Sequence, residues 1–255
     1  MPTIVFFHAH PDDEVLGTGG SIARASAEGH RVVLVVATNG DHGESPYDLG
    51  DDTLVIRRRA ETAESADVLG IHRVVWLDYR DSGMTGWSQN DEPGSFWSTP
   101  VDECAARLAG VLRDEAADVI VVYDWHGTYG HPDHVQVHRV GHRAAEMAGT
   151  PDLFEATFNH DRLVEAYNAG QVDFDPNEGG DDGNPVGTPE AAIHLAVDVS
   201  AYVAQKREAL ACHASQVTDT GGLLAIPEDI FTVAFATEWF IHPGANHPLR
   251  DGWFF

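Results

Sequence analysis

Two short segments gather the side chains that could do chemistry. His8-Ala9-His10-Pro11-Asp12-Asp13-Glu14 and Tyr129-Gly130-His131-Pro132-Asp133-His134 each contain His-Pro-Asp. Zn²⁺ takes imidazole nitrogen and carboxylate oxygen, and a catalytic site keeps one position for water. Two histidines and one aspartate supply three ligands and leave that position open. A second carboxylate beside it can take a proton from the water, and a second imidazole can stabilise an oxyanion or protonate a leaving amine. Amide hydrolysis needs those parts, with a cation that polarises the carbonyl and brings the pKa of water down to about 7.

Each segment also has a plainer reading. Asp-Asp-Glu is what a helix N-terminus looks like, with a cap and acids in the first turn. One His-Pro pair is commonly a turn. The two segments weigh more together, because each follows a strand. The three-residue spacing of His10 to Asp13 lets both reach one ion as a loop becomes a helix, with Asp12 aimed elsewhere. His131 and His134 share that spacing, so one can coordinate while the other stays free for proton transfer. Spacing does not say which.

The elements that must position these groups alternate. Thr3–Ala9, Arg31–Thr38, Arg73–Leu77 and Asp118–Tyr123 read as strands. Glu14–Gly29, Thr53–Leu69 and a segment from Pro100 read as helices, and another helix begins near His131. Glycines close the first two helices. Strands separated by helices imply parallel pairing and right-handed crossovers. This is a Rossmann-like α/β fold with a mostly parallel central sheet and helices on both faces, in which ligands sit at the carboxyl ends of the strands. Asn39 to Asp52 and Asp78 to Thr99 read as loops. In the second half, Asp152–Phe158 and Ile193–Val197 suggest strands and Ser200–Ala214 a Ser-capped helix. The acidic, Gly/Pro-rich Asp173 to Pro189 suggests an exposed loop. No segment reads as a linker, so residues 1–255 are expected to form one domain.

At this point the chain resembles the LmbE-like or PIG-L de-N-acetylases. The resemblance rests on AHPDDE at Ala9–Glu14 and YGHPDH at Tyr129–His134. It extends to Arg58-x-x-Glu61, to RDSGM at Arg80–Met84 and to HASQ at His213–Gln216. The RDSGM run is similar to actinobacterial members, including mycothiol-pathway deacetylases and amidases that act on N-acyl-glucosaminyl substrates. The resemblance implies that His10, Asp13 and His134 hold the zinc and that Asp12 is the general base. It implies that His131 serves the oxyanion or the leaving nitrogen, that Asp133 orients His131, and that Tyr129 assists at the carbonyl oxygen. Arg58 and Asp81 match substrate-contacting positions. The implied activity is removal of an acyl group, acetyl first, from a glucosaminyl compound. The alternatives are an amidase for a larger acyl group and a metal- or sugar-binding protein without catalysis. Fe²⁺ could replace Zn²⁺, since such a donor set accepts both.

Other residues near the motifs are held more loosely. His8 reads as a supporting histidine rather than a ligand, and His138 as one that packs or hydrogen-bonds behind the site. Trp87, Trp97 and Trp125 offer faces to a sugar ring or anchors for their loops.

Composition bounds the partners. A formal charge of −26, from 15 basic and 41 acidic residues, repels nucleic acid and anionic membranes. No run approaches a membrane span. Cys104 and Cys212 are too few for a disulfide framework or a Cys-rich metal cage. The start of the chain reads as a strand rather than a signal peptide. A cytoplasmic enzyme for a small amino-sugar conjugate is the expectation, with self-association left open.

Overall fold

A computed structural model describes residues 1–43, 45, 53–172, 174–216 and 222–255. Much of the expected Asn39 to Asp52 loop lies outside the described residues. Five parallel strands carry the architecture: β1 (Thr3–His8), β2 (Arg31–Thr38), β3 (Arg73–Tyr79), β4 (Val119–Tyr123) and β5 (Asp152–Thr157). Between them run α1 (Asp13–Ala27), α2 (Leu54–Leu69), α3 (Val101–Asp114) and α4 (Pro132–Ala148). The second half adds α5 (His160–Asn168), β6 (Leu195–Asp198), α6 (Val203–Cys212), α7 (Glu228–Ala234), β7 (Thr237–Ile241) and β8 (Arg250–Asp251).

The sheet order is β3-β2-β1-β4-β5-β7-β6-β8. From β1 the chain first winds outward to β2 and β3, then returns to lay β4 on the other side. The crevice between the carboxyl ends of β1 and β4 is therefore the topological switch point, where α/β sheets bind ligands. Both His-Pro-Asp segments leave from these two strands.

Both sheet faces are covered. Ile4, Phe6, Val32 and Leu34 point into one core with α1, α2 and α6, while Val5, Phe7, Val33 and Val35 point into the other with α3 and α4. That explains the unbroken apolar run of β2. Each such side chain taken from water contributes about 1.5–3 kcal/mol. Gly141 of α4 lies so close to β4 that a Cβ there would sit 2.3 Å from a methyl of Val122. Among the described residues, no helix is long and apolar enough to cross a membrane.

Some expectations need correction. The predicted helix from Ser200 starts as a 3-10 turn, Ser200–Tyr202, and becomes α-helical only at Val203. Ser200 does not cap it; its backbone N–H instead donates to Asp198. The antiparallel strand β7, between β5 and β6, has no counterpart in the sequence reading. Its Thr-Glu-Trp-Phe-Ile run alternates half-buried and buried side chains. The acidic loop from residue 174 to 189 is exposed in part, yet it is tied down. Asp181 and Gly187 donate backbone N–H groups to the carbonyls of Tyr129 and Thr128, both at 2.6 Å.

Candidate active site

The first motif turns on one unusual residue. Asp12 caps α1 with φ 102° and ψ −30°. A non-glycine residue there stores about 1–3 kcal/mol of strain and persists only when its surroundings hold it. Two buried groups do so. Glu14 accepts the Asp12 backbone N–H at 3.0 Å. Arg58, from α2, donates to the Pro11 carbonyl at 2.6 Å, to the Gly40 carbonyl at 3.0 Å and to Asp12 Oδ2 at 3.3 Å. The reversed backbone separates two adjacent carboxylates: Asp12 faces Arg58, and Asp13 faces the histidines.

The second motif is built at the other side of the crevice. His131 is the N-cap of α4, where its Nδ1 accepts the Asp133 backbone N–H at 3.1 Å. Pro132 follows at the first helical position, where its fixed φ suits the turn and its missing N–H is not needed. Gly127, at φ 64°, lets the preceding loop pass against α4, since a Cβ there would meet His134 Cβ at 2.4 Å.

The two turns converge. His10 Nδ1 and His134 Nε2 each lie 3.3 Å from Asp13 Oδ2. His131 stands beside both, with ring centroids 4.7 Å from His10 and 5.3 Å from His134. The far nitrogen of His10 meets Asp133 Oδ2 at 3.2 Å and Asp81 Oδ1 at 3.6 Å. Tyr129 Oη is 3.5 Å from His134 Nε2. Tyr123 stacks on His134 with centroids 4.5 Å apart, and its hydroxyl meets His8 Nδ1 at 2.8 Å.

The electrostatics follow from this crowding. Burial alone would neutralise His10, but Asp81, Asp13 and Asp133 around it hold its pKa well above the ordinary imidazole value. Burial, with His10 and His134 alongside, holds His131 well below that value, so its ring is neutral. Because Nδ1 of His131 accepts a backbone N–H, the neutral ring carries its proton on Nε2. Burial pushes Asp12 up to about 6, against the pull of Arg58. Asp13, whose burial is outweighed by His134 and His10, lies well below its usual range.

These residues fit a divalent cation. Asp13, Asp81 and Asp133 gather negative charge around the His10 ring. His134 Nδ1 is buried with no hydrogen-bond partner among the described residues. Donor atoms of His10, His131 and His134 lie within 4.8 Å of one another, and so do those of His10, Asp81 and Asp133. His10 is common to both of these sets, so distance alone does not select one trio.

One expected contact is not made. The Asp133 carboxylate does not reach His131; it accepts Ser82 N–H at 2.9 Å and the Ser82 hydroxyl, and it faces His10. It therefore positions His10, and only its backbone touches His131. Arg58 is 3% exposed, and its guanidinium holds Pro11, Gly40 and Asp12. Asp81 is 5% exposed, accepts Gly83 N–H at 2.9 Å and faces His10.

Supporting residues tie the two motifs to the rest of the fold through contacts that no spacing in the sequence reveals. Glu14 is fully buried and joins Asp12 to Ser65 and His213, at 2.7 and 2.8 Å from its Oε1. Glu61 accepts the backbone N–H of Ser215 at 2.9 Å and its hydroxyl at 2.6 Å, so the Arg58-x-x-Glu61 and HASQ runs meet. His8, between Tyr123 and Thr18, is a supporting residue as expected. Trp97 anchors its loop through Arg139, whereas Trp125 is 64% exposed beside the second motif.

Several known proteins are similar to this chain in sequence and fold. Residues 5–145 match the model of the family described as PIG-L, GlcNAc-PI de-N-acetylase. A 1D-myo-inositol 2-acetamido-2-deoxy-α-D-glucopyranoside deacetylase of Streptomyces griseus is 37% identical, over 93% of this chain and 82% of that protein. The enzyme of the same name from Thermobifida fusca is 36% identical, over 98% of this chain and 96% of its own length. Among solved structures, N,N′-diacetylchitobiose deacetylase from Pyrococcus horikoshii superposes with TM-score 0.57 at 25% identity, covering 90% of this chain and 72% of that one. On the match of more than half its length and on these relatives, the chain belongs to the PIG-L family of de-N-acetylases.

Proposed function

We propose that this chain is a zinc-dependent hydrolase that removes the N-acetyl group of a glucosaminyl conjugate, with a glucosaminyl inositol as the first substrate to try. The convergence of the two His-Pro-Asp turns at the switch point carries the reading, and the named activity of the relatives supports the substrate class. His10, Asp13 and His134 would hold the ion. Zinc there would polarise the amide carbonyl and lower the pKa of water to about 7.

The chain's own residues do the rest. Asp12, held at its reversed φ by Arg58 and Glu14, takes the proton of the attacking water. His131 donates Nε2–H to the developing oxyanion, because its Nδ1 is committed to the α4 cap. Tyr129 Oη, next to His134, adds a donor at the carbonyl oxygen. Asp133 and Asp81 fix the His10 ring. Arg58 acts through Asp12. Trp125 offers an exposed aromatic face to the sugar.

The test is direct. Zinc-loaded protein should release acetate and a free amine from an N-acetylglucosaminyl inositol, and chelation should abolish the release. A panel of N-acetylglucosaminyl compounds that yields no amine from fully metal-loaded protein would refute the proposal. Mass of the released acid separates acetyl transfer to water from cleavage of a larger acyl group.

A further inference from the structure

One turn beyond His134, α4 carries two histidines that the site above does not use. His138 and His142 lie on the same helix face, with ring centroids 4.4 Å apart. Glu155 of β5 comes up between them. Its Oε1 is 2.7 Å from His142 Nε2 and 3.5 Å from His138 Nδ1. We propose that His138, His142 and Glu155 form a second divalent-metal site, for an imidazole-preferring ion of the zinc class.

The geometry suits such an ion. The three residues offer ligand atoms within 4.8 Å of one another. Adjacent ligands of a tetrahedral zinc with bonds of 2.0–2.2 Å stand about 3.4 Å apart. The pair at 2.7 Å opens to that edge by a shift of under about 1 Å. Two histidines one helical turn apart plus a carboxylate from another element is a donor set zinc accepts, with a fourth position left for water.

A second observation points the same way. His138 Nδ1 lies 3.1 Å from the Tyr123 carbonyl oxygen. A carbonyl only accepts, so that nitrogen carries the proton and Nε2 keeps its lone pair. That is also the nitrogen 3.5 Å from Glu155 Oε1, so His138 would coordinate through Nε2, with its Nδ1–H anchored on the carbonyl in the way a protein fixes the tautomer and orientation of a ligating histidine. Access is also right: the side chains of His138 and His142 are 21% and 37% exposed, while Glu155 is 9% exposed. The site is open to solvent on the helix side and rooted in the sheet on the other. It is separate from the first, since neither histidine touches His10, Asp13 or His131, and it does not depend on the deacetylase reading.

The experiment counts metal. Full-length protein and the variants His142→Ala and Glu155→Gln are dialysed against the same free zinc concentration, and bound zinc is measured by mass spectrometry. Each variant should bind one equivalent fewer than the parent. In the copper(II) form, the electron paramagnetic resonance spectrum should lose a signal with two-nitrogen coupling when His142 is replaced. Far-UV circular dichroism of the metal-free proteins checks that the fold is retained, which the partial exposure of His142 favours. Equal zinc content in the parent and both variants would overturn the proposal.

Discussion

Replacing Glu14 by Gln removes one charge from a fully buried network while keeping its shape. The Glu14 carboxylate is fully buried and accepts from Asp12 N, Ser65 Oγ and His213 Nε2. A carboxamide offers one oxygen, so whichever way it turns, an NH₂ replaces an acceptor. Facing Asp12, it opposes a backbone N–H. Facing His213, it forces that ring to move its proton to Nδ1, a buried atom without a partner among the described residues. One charge-assisted bond lost is about 1.5–3 kcal/mol, and a stranded donor about 1–3 kcal/mol. We expect a net destabilisation of about 3 kcal/mol in urea unfolding of the metal-loaded protein. The pH dependence carries a sign. His213, despite burial, is raised above 6.5 by Glu14, so its contribution is complete below 6.5 and is lost as pH rises through the raised value. Glu14, despite burial, is lowered below 4.5 by His213, so its contribution is present above 4.5 and is lost as pH falls through the lowered value. The parent-minus-variant difference should therefore peak between 4.5 and 6.5 and shrink toward alkaline pH. A loss below about 1 kcal/mol, or one that grows on the alkaline side, would refute the reasoning.

Three further outcomes follow from the same contacts. Asp12→Asn should lower kcat by about 10²–10⁴-fold with zinc content unchanged, as steady-state kinetics and metal analysis will test. Asp133→Asn should weaken zinc binding by about 10–100-fold in competition with a chelating dye, because Asp133 holds the His10 ring. Glu238→Ala should destabilise by about 3–5 kcal/mol in urea, since Lys206 Nζ is buried and paired with Glu238 Oε1 at 2.8 Å; a Lys206→Met/Glu238→Gln double variant should recover part of that loss.

Legibility in the sequence tracked how local each feature is. The five parallel strands could be read because their apolar runs and glycine stops are signals within a few residues, as at Arg31–Thr38 and Gly70. The antiparallel β7 could not, because Thr237–Ile241 mixes Glu and Trp with apolar residues, and its place between β5 and β6 is a long-range choice. The same holds at the site. That His10, Asp13, His131 and His134 meet was legible, because each motif follows a strand and the switch point brings β1 to β4. What Asp133 touches was not. The Ser82 that takes its carboxylate lies 51 positions away, and no spacing rule connects them.

The division of labour between Asp12 and Asp13 is the clearest case of a role that spacing alone cannot assign. Neighbours in a helix differ in direction by about 100°, which separates two side chains but keeps both near one ion. Here the separation comes from φ 102° at Asp12. That conformation is unfavourable on its own, and it is held from both sides by Glu14 and Arg58. Glu14 fixes the N–H, Arg58 fixes the carbonyl before it and one carboxylate oxygen, and His213 and Ser65 fix Glu14 in turn. The third acid of the motif, the arginine of α2 and the histidine after α6 therefore serve one backbone angle. Loss of any of them should cost turnover before it costs zinc, whereas loss of Asp133 or Ser82 should do the reverse. Measuring kcat and zinc affinity across both groups decides whether the two supports are as separate as the contacts make them.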